Sequence, residues 1–299
     1  MSAAPFDLDP RAVRRSFDRA SRSSDAAAAL QSEVRDRLLQ RLEWVKMQPA
    51  VVVDLGCGTA HAAKALKAKF PKAQVVAVDI AHGMLREAAH QQRLFRKFSR
   101  VCADAARLPL RDQSVDLVFS NLMLHWCEPP DAIFAEARRV LQPRGLFIFT
   151  TFGPDTLKEL RAAWAKVDER AHVHRFIDMH DLGDALVRAR LAEPVLDIEY
   201  LTLTFREVRM LATELKAVGA HNASRNRFSG LTGRHRFLAM AQAYESFRTD
   251  GKIPATYEVV YGNAWRAAGP DSTARPPGEV HVPLARIAHR RRPQDDENA

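Results

Sequence analysis

The chain has 299 residues, 46% hydrophobic and 27% charged, an ordinary globular composition large enough for one sizeable core with additions or for two small domains. No apolar run approaches the roughly 20 residues of a membrane span, and the N-terminus lacks the apolar core of a signal peptide, so neither a membrane nor a secretory role is expected. The net charge of +9 favours acidic partners, but no RNA-binding motif or aromatic-rich basic strand accompanies it, so nucleic acid is not expected either.

Residues 1–48 precede the first strand. Ala12–Ala20 is basic and amphipathic around Val13 and Phe17, and Ala26–Trp44 reads as one helix with Leu30, Val34, Leu38 and Leu42 spaced by four. A leading helical pair can cover a ligand cleft or pack on a sheet edge, and the two roles are compatible. Val51-Val52-Val53 then forms a short β-branched run, expected as a buried parallel strand with Asp54 at its end. Gly56 and Gly58 let the backbone turn and approach a ligand with no Cβ in the way. A helix follows, and a second strand, Gln74–Asp79, ends in another acid 21 positions after Gly58. A carboxylate at that distance can hydrogen-bond a ribose. Gly-Cys-Gly-Thr has neither the third glycine of the dinucleotide pattern nor a P-loop ending, which argues against NAD and ATP. The three cysteines, Cys57, Cys102 and Cys127, form no CxxC pair, which argues against disulfides and zinc and suits a reducing cytoplasm.

The acid–x–Gly–x–Gly turn with an acid closing the second strand resembles the S-adenosylmethionine-dependent methyltransferases of the Rossmann-like class. That resemblance implies an α/β fold: a mostly parallel seven-stranded sheet with helices on both faces. It implies S-adenosylmethionine contacts from Asp54, Gly56, Gly58 and Asp79, with Met84 as an apolar wall (or a core methionine). It also implies that Asp104 and Ala105, at the exit of a third strand over Val101–Ala105, meet the adenine. Ser120 and Asn121, ending a fourth strand over Val115–Asn121, would face the sulfonium. His125 in the next loop is read as a packed residue rather than a general base.

Helix Asp131–Leu141 should end at Pro143-Arg144-Gly145, before a fifth strand over Leu146–Thr151. Beyond it, helices are expected over Thr156–Val167, with Asp155 as a possible cap, and Asp181–Arg190. A strand over Val195–Phe205, helices within residues 205–254 and a last strand over Ala255–Tyr261 follow. Those helices are expected to be an insertion before the last strand that carries substrate choice. Residues 49–265 would form the methyltransferase domain, and 266–299 a basic, disordered tail.

A narrower resemblance rests on Thr151-Phe152-Gly153-Pro154-Asp155-Thr156-Leu157, on Gly219-Ala220-His221-Asn222 and on Gly230-Leu231-Thr232-Gly233. With Ala163-Trp164 and Ser16-Phe17-Asp18-Arg19-Ala20, these are similar to the malonyl-[acyl-carrier protein] O-methyltransferases of biotin synthesis. Ser24 stands where that family usually has a tyrosine. The resemblance implies methylation of a free carboxylate. Its pKa lies near 4, so it is already a nucleophile at pH 7, and neither a general base nor a metal is expected. A cation should hold the carboxylate, with Arg175 the candidate. His221 is a substrate-side candidate. Lys216, Arg225, Arg227 and Arg234 could meet the acidic carrier protein. Two alternatives stay open. One is a small-molecule or quinone methyltransferase. The other is a non-methylating assembly factor of the mitochondrial complex I kind, which shares Phe152-Gly153-x-Asp155-Thr156-Leu157 and Pro254-Ala255-Thr256-Tyr257.

Overall fold

The computed structural model describes residues 8–92, 97–127, 129–225, 227, 230 and 232–269. Five strands run parallel: β1 (Val51–Leu55), β2 (Gln74–Asp79), β3 (Ser99–Cys102), β4 (Val115–Ser120) and β5 (Leu141–Phe152). Then come β6 (Leu191–Phe205) and β7 (Ile253–Arg266), with β7 antiparallel between β5 and β6. The sheet has seven strands, mostly parallel, as expected, in the order β3-β2-β1-β4-β5-β7-β6. The chain winds outward from β1 to β3 and returns to β4 on the other side. That reversal leaves a crevice beyond the carboxyl ends of β1 and β4, where open α/β sheets bind ligands.

Alternate residues of each inner strand enter opposite cores, which is why these strands read as mainly apolar runs. Val52, Phe119 and Ile148 face one layer; Val53, Val118, Phe147 and Phe149 face the other. The first layer holds α3 (Ala29–Arg41), through Leu30, Val34 and Leu38, and α4 (His61–Lys69), through Ala63 and Leu66. The second holds α6 (Pro130–Val140) and α8 (Met179–Arg188). The other helices are α1 (Pro10–Ala20), α2 (Ser24–Ala27), α5 (His82–Glu87), α7 (Lys158–Ala165), α9 (Val208–Ala217) and α10 (Arg234–Tyr244). The last two form the helical segment before β7.

Three local expectations are corrected. The helix expected over Ala26–Trp44 breaks at Ala28 (φ −88°, ψ 34°), just after Asp25, whose carboxylate is drawn to Thr59 and His61. Pro143-Arg144-Gly145 lies inside β5, where the register against β4 shifts and Arg144 takes φ +65°, the pattern of a bulge. Asp155 does not cap α7; its N–H donates to Glu258 Oε2 at 2.7 Å. Helix α9 ends at Gly219 (φ +83°), whose backbone passes close to Phe17 and Ala20 of α1. The leading helices and the α9 segment therefore meet. The expected tail lies outside the described residues beyond residue 269. No helix among the described residues is long and apolar enough to cross a membrane.

Candidate active site

The β1–α4 turn is organised by two carboxylates. Asp54, 1% exposed, accepts from Ala63 N–H at 2.8 Å and pins the start of α4 to the end of β1. Desolvation raises its carboxyl to about 7. Asp79 stands at the end of β2 and accepts from Gly58 N–H and Ala81 N–H, both at 2.8 Å. It opens to the cavity, yet desolvation still raises it to about 6.

The two glycines serve different ends. Gly56 (φ +73°) has its missing Cβ filled by the Met123 side chain, whereas a Cβ on Gly58 (φ +52°) would meet open space. Gly56→Ala should therefore add overpacking to left-handed strain and lower stability by about 2–4 kcal/mol. Gly58→Ala should cost only about 1–2 kcal/mol of strain, which Ala60 (φ 66°) already bears nearby. It should instead weaken ligand binding at the turn. Urea unfolding beside ligand titration separates the two, and equal losses in both assays would refute the division.

A cavity of about 330 Å³ opens at the crevice. Of the residues the resemblance places at the cofactor, Asp54, Gly56, Gly58, Asp79, Met84, Asp104, Ala105 and Asn121 line it. Ser120 does not: it is fully buried and donates to Leu55 O at 2.9 Å, tying β4 to β1. Asp104 is braced by Ala106 N–H at 2.9 Å. The leading helices close the cavity. Phe17 meets Trp126 edge-on at 5.2 Å, and Gly83 N–H donates to Asp18 Oδ1 at 2.7 Å. Ser24 lines the wall, with Met84 Sδ 4.0 Å from its hydroxyl. Sequence reasoning missed two charged residues here. Asp25 accepts from Thr59 Oγ1 at 2.5 Å and lies 3.1 Å from His61 Nε2. Arg35 is the cavity's lining cation among the described residues, and it opposes the rise of Asp54. Both sit on helices whose polar positions look like any solvated face.

A second chamber of about 90 Å³ adjoins the first, sharing Gln31, His125, Trp126, Phe152, Val218 and Ala220 as lining. Its walls mix aromatic and aliphatic side chains, such as Phe176, Tyr257, Leu157 and Leu160, with polar ones, His172, His174, Asn222 and the acid Glu214, whose carboxyl desolvation raises above the usual range. His221 lines it; Arg175 does not, and is exposed. The other basic candidates also lie outside both chambers. Lys216 and Arg234 are exposed. Arg225 Nε donates to Leu8 O at 3.3 Å, and Arg227 donates to Ser224 O at 2.9 Å and lies 3.8 Å from Asp9. These two arginines fasten the chain start to the α9–α10 segment. Among the described residues, no cluster of His, Cys, Asp or Glu is arranged to hold a metal ion.

Residues 53–149 match the family model of a methyltransferase domain. The chain is 55% identical over 273 residues to a malonyl-[acyl-carrier protein] O-methyltransferase of Methylovorus sp. (strain MP688), covering 89% of the chain and 92% of that relative. It is 50% identical over 269 residues to the protein of the same name from Gallionella capsiferriformans (strain ES-2), covering 88% and 93%. A solved phosphoethanolamine N-methyltransferase 2 of Haemonchus contortus, in complex with phosphomonomethylethanolamine and S-adenosylhomocysteine, superposes with a TM-score of 0.53 at 16% identity. That match covers 85% of this chain and 60% of that one. A solved S-adenosylmethionine-dependent methyltransferase of Thermotoga maritima gives 0.52 at 16% identity, covering 85% and 99%. At such identities the two structures bear on the fold.

Proposed function

The chain belongs to the malonyl-[acyl-carrier protein] O-methyltransferase family, and from that premise we propose that its two chambers divide the work, the larger holding the methyl donor and the smaller the malonyl group. The protein is an S-adenosylmethionine-dependent methyltransferase. Its reaction turns the free carboxylate of malonyl-acyl-carrier protein into the methyl ester that starts pimeloyl synthesis for biotin.

The large cavity suits the donor chemically. Asp79 is a carboxylate placed to accept from ribose hydroxyls, and Gly58 leaves the space a Cβ would fill. Asp104, with Ala105 beside it, offers a polar acceptor next to an apolar surface for adenine. Arg35, which also pairs with the exposed Asp36 at 2.8 Å, and Asp25 bring opposite charges to the wall, as the carboxylate and ammonium of an amino-acid group require. Bound there, S-adenosylmethionine supplies an electrophilic methyl group. The protein's task is to bring an ionised carboxylate in line with it and keep water out, so orientation supplies most of the rate.

The observation that carries this reading is the shared wall. A chamber of acyl-group size shares a wall with the crevice cavity at the strand ends, and residues of the leading helices and of the α9 segment line both. Residues 1–48 act as a cover and residues 205–254 as the substrate-side element in this scheme. The exposed Lys216 and Arg234 offer positive charge to an acidic carrier protein. Purified protein with labelled S-adenosylmethionine should label malonyl-carrier protein and leave acetyl-carrier protein unlabelled, since acetyl has no carboxylate. The KM for malonyl-carrier protein should rise with salt, while that for malonyl-pantetheine stays flat. Label on the acetyl carrier, or none on any carrier while the donor still binds, would end this reading.

A further inference from the structure

Three buried side-chain atoms of residues lining the second chamber have no hydrogen-bond partner in the protein: Gln31 Oε1, His125 Nδ1 and His174 Nε2. Folded proteins rarely leave such atoms unpaired, and each calls for an explanation. Three around one 90 Å³ space mark a site made for a polar group. The rings are held firmly. His125, 9% exposed, packs 4.6 Å from Phe152, and His174 lies 4.6 Å from Phe176 and 4.8 Å from Trp126. The two imidazoles are 6.3 Å apart and nearly parallel.

No arginine or lysine lines this chamber among the described residues. Arg161 is near enough to disfavour protonation of His174, but its guanidinium donates to Pro154 O at 2.9 Å and Thr156 O at 3.1 Å. Desolvation holds His174 down to about 4 and His125 well below the usual imidazole range, so both rings are neutral at pH 7. A neutral imidazole offers one N–H donor, and an amide nitrogen and oxygen exchange places by a simple flip.

Resting on the function proposed above, we infer that the substrate's free carboxylate is held in this chamber by uncharged donors, His125 Nδ1–H, His174 Nε2–H and the Gln31 amide, and not by an arginine. Gln31 and His125 also line the large cavity. The donors thus stand at the junction where a carboxylate meets the methyl group.

The chemistry favours this choice. The transfer forms a bond from a carboxylate oxygen to the methyl carbon and breaks the methyl–sulfur bond, whose electron pair stays on sulfur; no proton moves. A negative and a positive charge are both consumed. An arginine fixed on the carboxylate would stabilise the charged reactants more than the transition state, in which that charge is fading, and would slow the step. Neutral donors orient the group and leave an oxygen free to react. The buried, largely aromatic and aliphatic surroundings make the remaining separation of charge less favourable in the reactants than in water.

The test is binding to protein saturated with S-adenosylhomocysteine, which reads the site without turnover. Calorimetry would compare malonyl-pantetheine with acetyl-pantetheine. The parent should prefer malonyl. His174→Leu and His125→Phe should each reduce that preference at least tenfold, while His174→Gln and His125→Asn, which restore an N–H near the same place, should recover part of it. His174 lines the second chamber and not the first, so His174→Leu should leave S-adenosylhomocysteine affinity unchanged, which also reports a folded protein. Arg175→Gln and Arg161→Gln should keep the preference. Parental preference in both histidine variants, or its loss in Arg161→Gln or Arg175→Gln alone, overturns the inference and restores a cationic site. If the parent itself shows no malonyl preference and methylates no malonyl carrier, the proposed function falls first.

Discussion

Asp79→Ala should weaken S-adenosylmethionine binding about a hundredfold or more. Hydrogen bonds to a charged acceptor contribute about 1.5–3 kcal/mol each, and a ribose brings two hydroxyls. The variant also strips an acceptor from Gly58 N–H and Ala81 N–H, so part of the loss would come from a looser turn. Asp79→Asn separates these effects. It keeps the shape, removes the charge, and forces an amide donor against one of the two N–H groups.

The pH dependence follows from the two raised carboxyls, Asp79 at about 6 and Asp54 at about 7. In the unfolded chain both ionise near 4. Between about pH 4 and 7 the folded, ligand-free protein therefore holds protons that the unfolded chain has released. Their contribution to stability is fully present below pH 4 and is lost as pH rises through 6 to 7. Ribose hydroxyls donating to Asp79 favour its charged form, so ligand binding near pH 6 should release protons. Calorimetry of S-adenosylhomocysteine in two buffers of different ionisation enthalpy reads that release, and Asp79→Asn should reduce it. Unchanged affinity in Asp79→Ala would remove Asp79 from the site.

The parts of the fold that were legible in the sequence are those whose signal is local. Strands β1, β2 and β4 are largely buried on both faces and read as mainly apolar runs, broken within β4 only by Asp116, and the glycine turn and Asp79 are set by backbone geometry at short range. What escaped depends on contacts between distant segments. The Ala28 break comes just after Asp25, which reaches Thr59 and His61 far along the chain. Ser120 sits at a strand end like a ligand-facing residue, but the neighbouring strand takes its hydroxyl. A carboxylate attracts a cation, so the sequence points to Arg175, whereas its neighbour His174 lines the chamber. Gln31, His125 and His174 come from α3, the loop after β4 and the loop before α8. No periodicity links three such positions. Arg225 and Arg227 looked like a docking surface because charge is visible in sequence, whereas their carbonyl and Asp9 partners are not.

The motif that most strongly carries the family resemblance has a structural role of its own, and disrupting it should cost several kcal/mol of stability. Gly153 N–H donates to Glu258 O at 2.9 Å, and Asp155 N–H donates to Glu258 Oε2 at 2.7 Å. Thr156 Oγ1 exchanges 3.1 Å hydrogen bonds with the backbone of Glu258, and Leu157 N–H donates to Thr256 O at 2.6 Å. Glu159 accepts in return from Thr256 N–H at 3.1 Å and from its hydroxyl. The stretch after β5 and the middle of β7 are clasped together, with Glu258 only 4% exposed. Phe152, Thr156, Leu157 and Tyr257, which line the second chamber, all belong to this clasp. Gly153 has an ordinary backbone; it is glycine because a Cβ would overlap the Glu258 carboxyl group. Gly153→Ala should therefore destabilise by about 3 kcal/mol, the upper end for overpacking. Glu258→Ala should cost a similar amount by leaving Asp155 N–H unpaired beside a void. Truncating Glu258 removes the very atoms that an alanine at 153 would strike. The double variant should then lose clearly less than the two single losses added, by about 1–3 kcal/mol of coupling in urea unfolding. Simple additivity would show that Gly153 and the Glu258 side chain act independently.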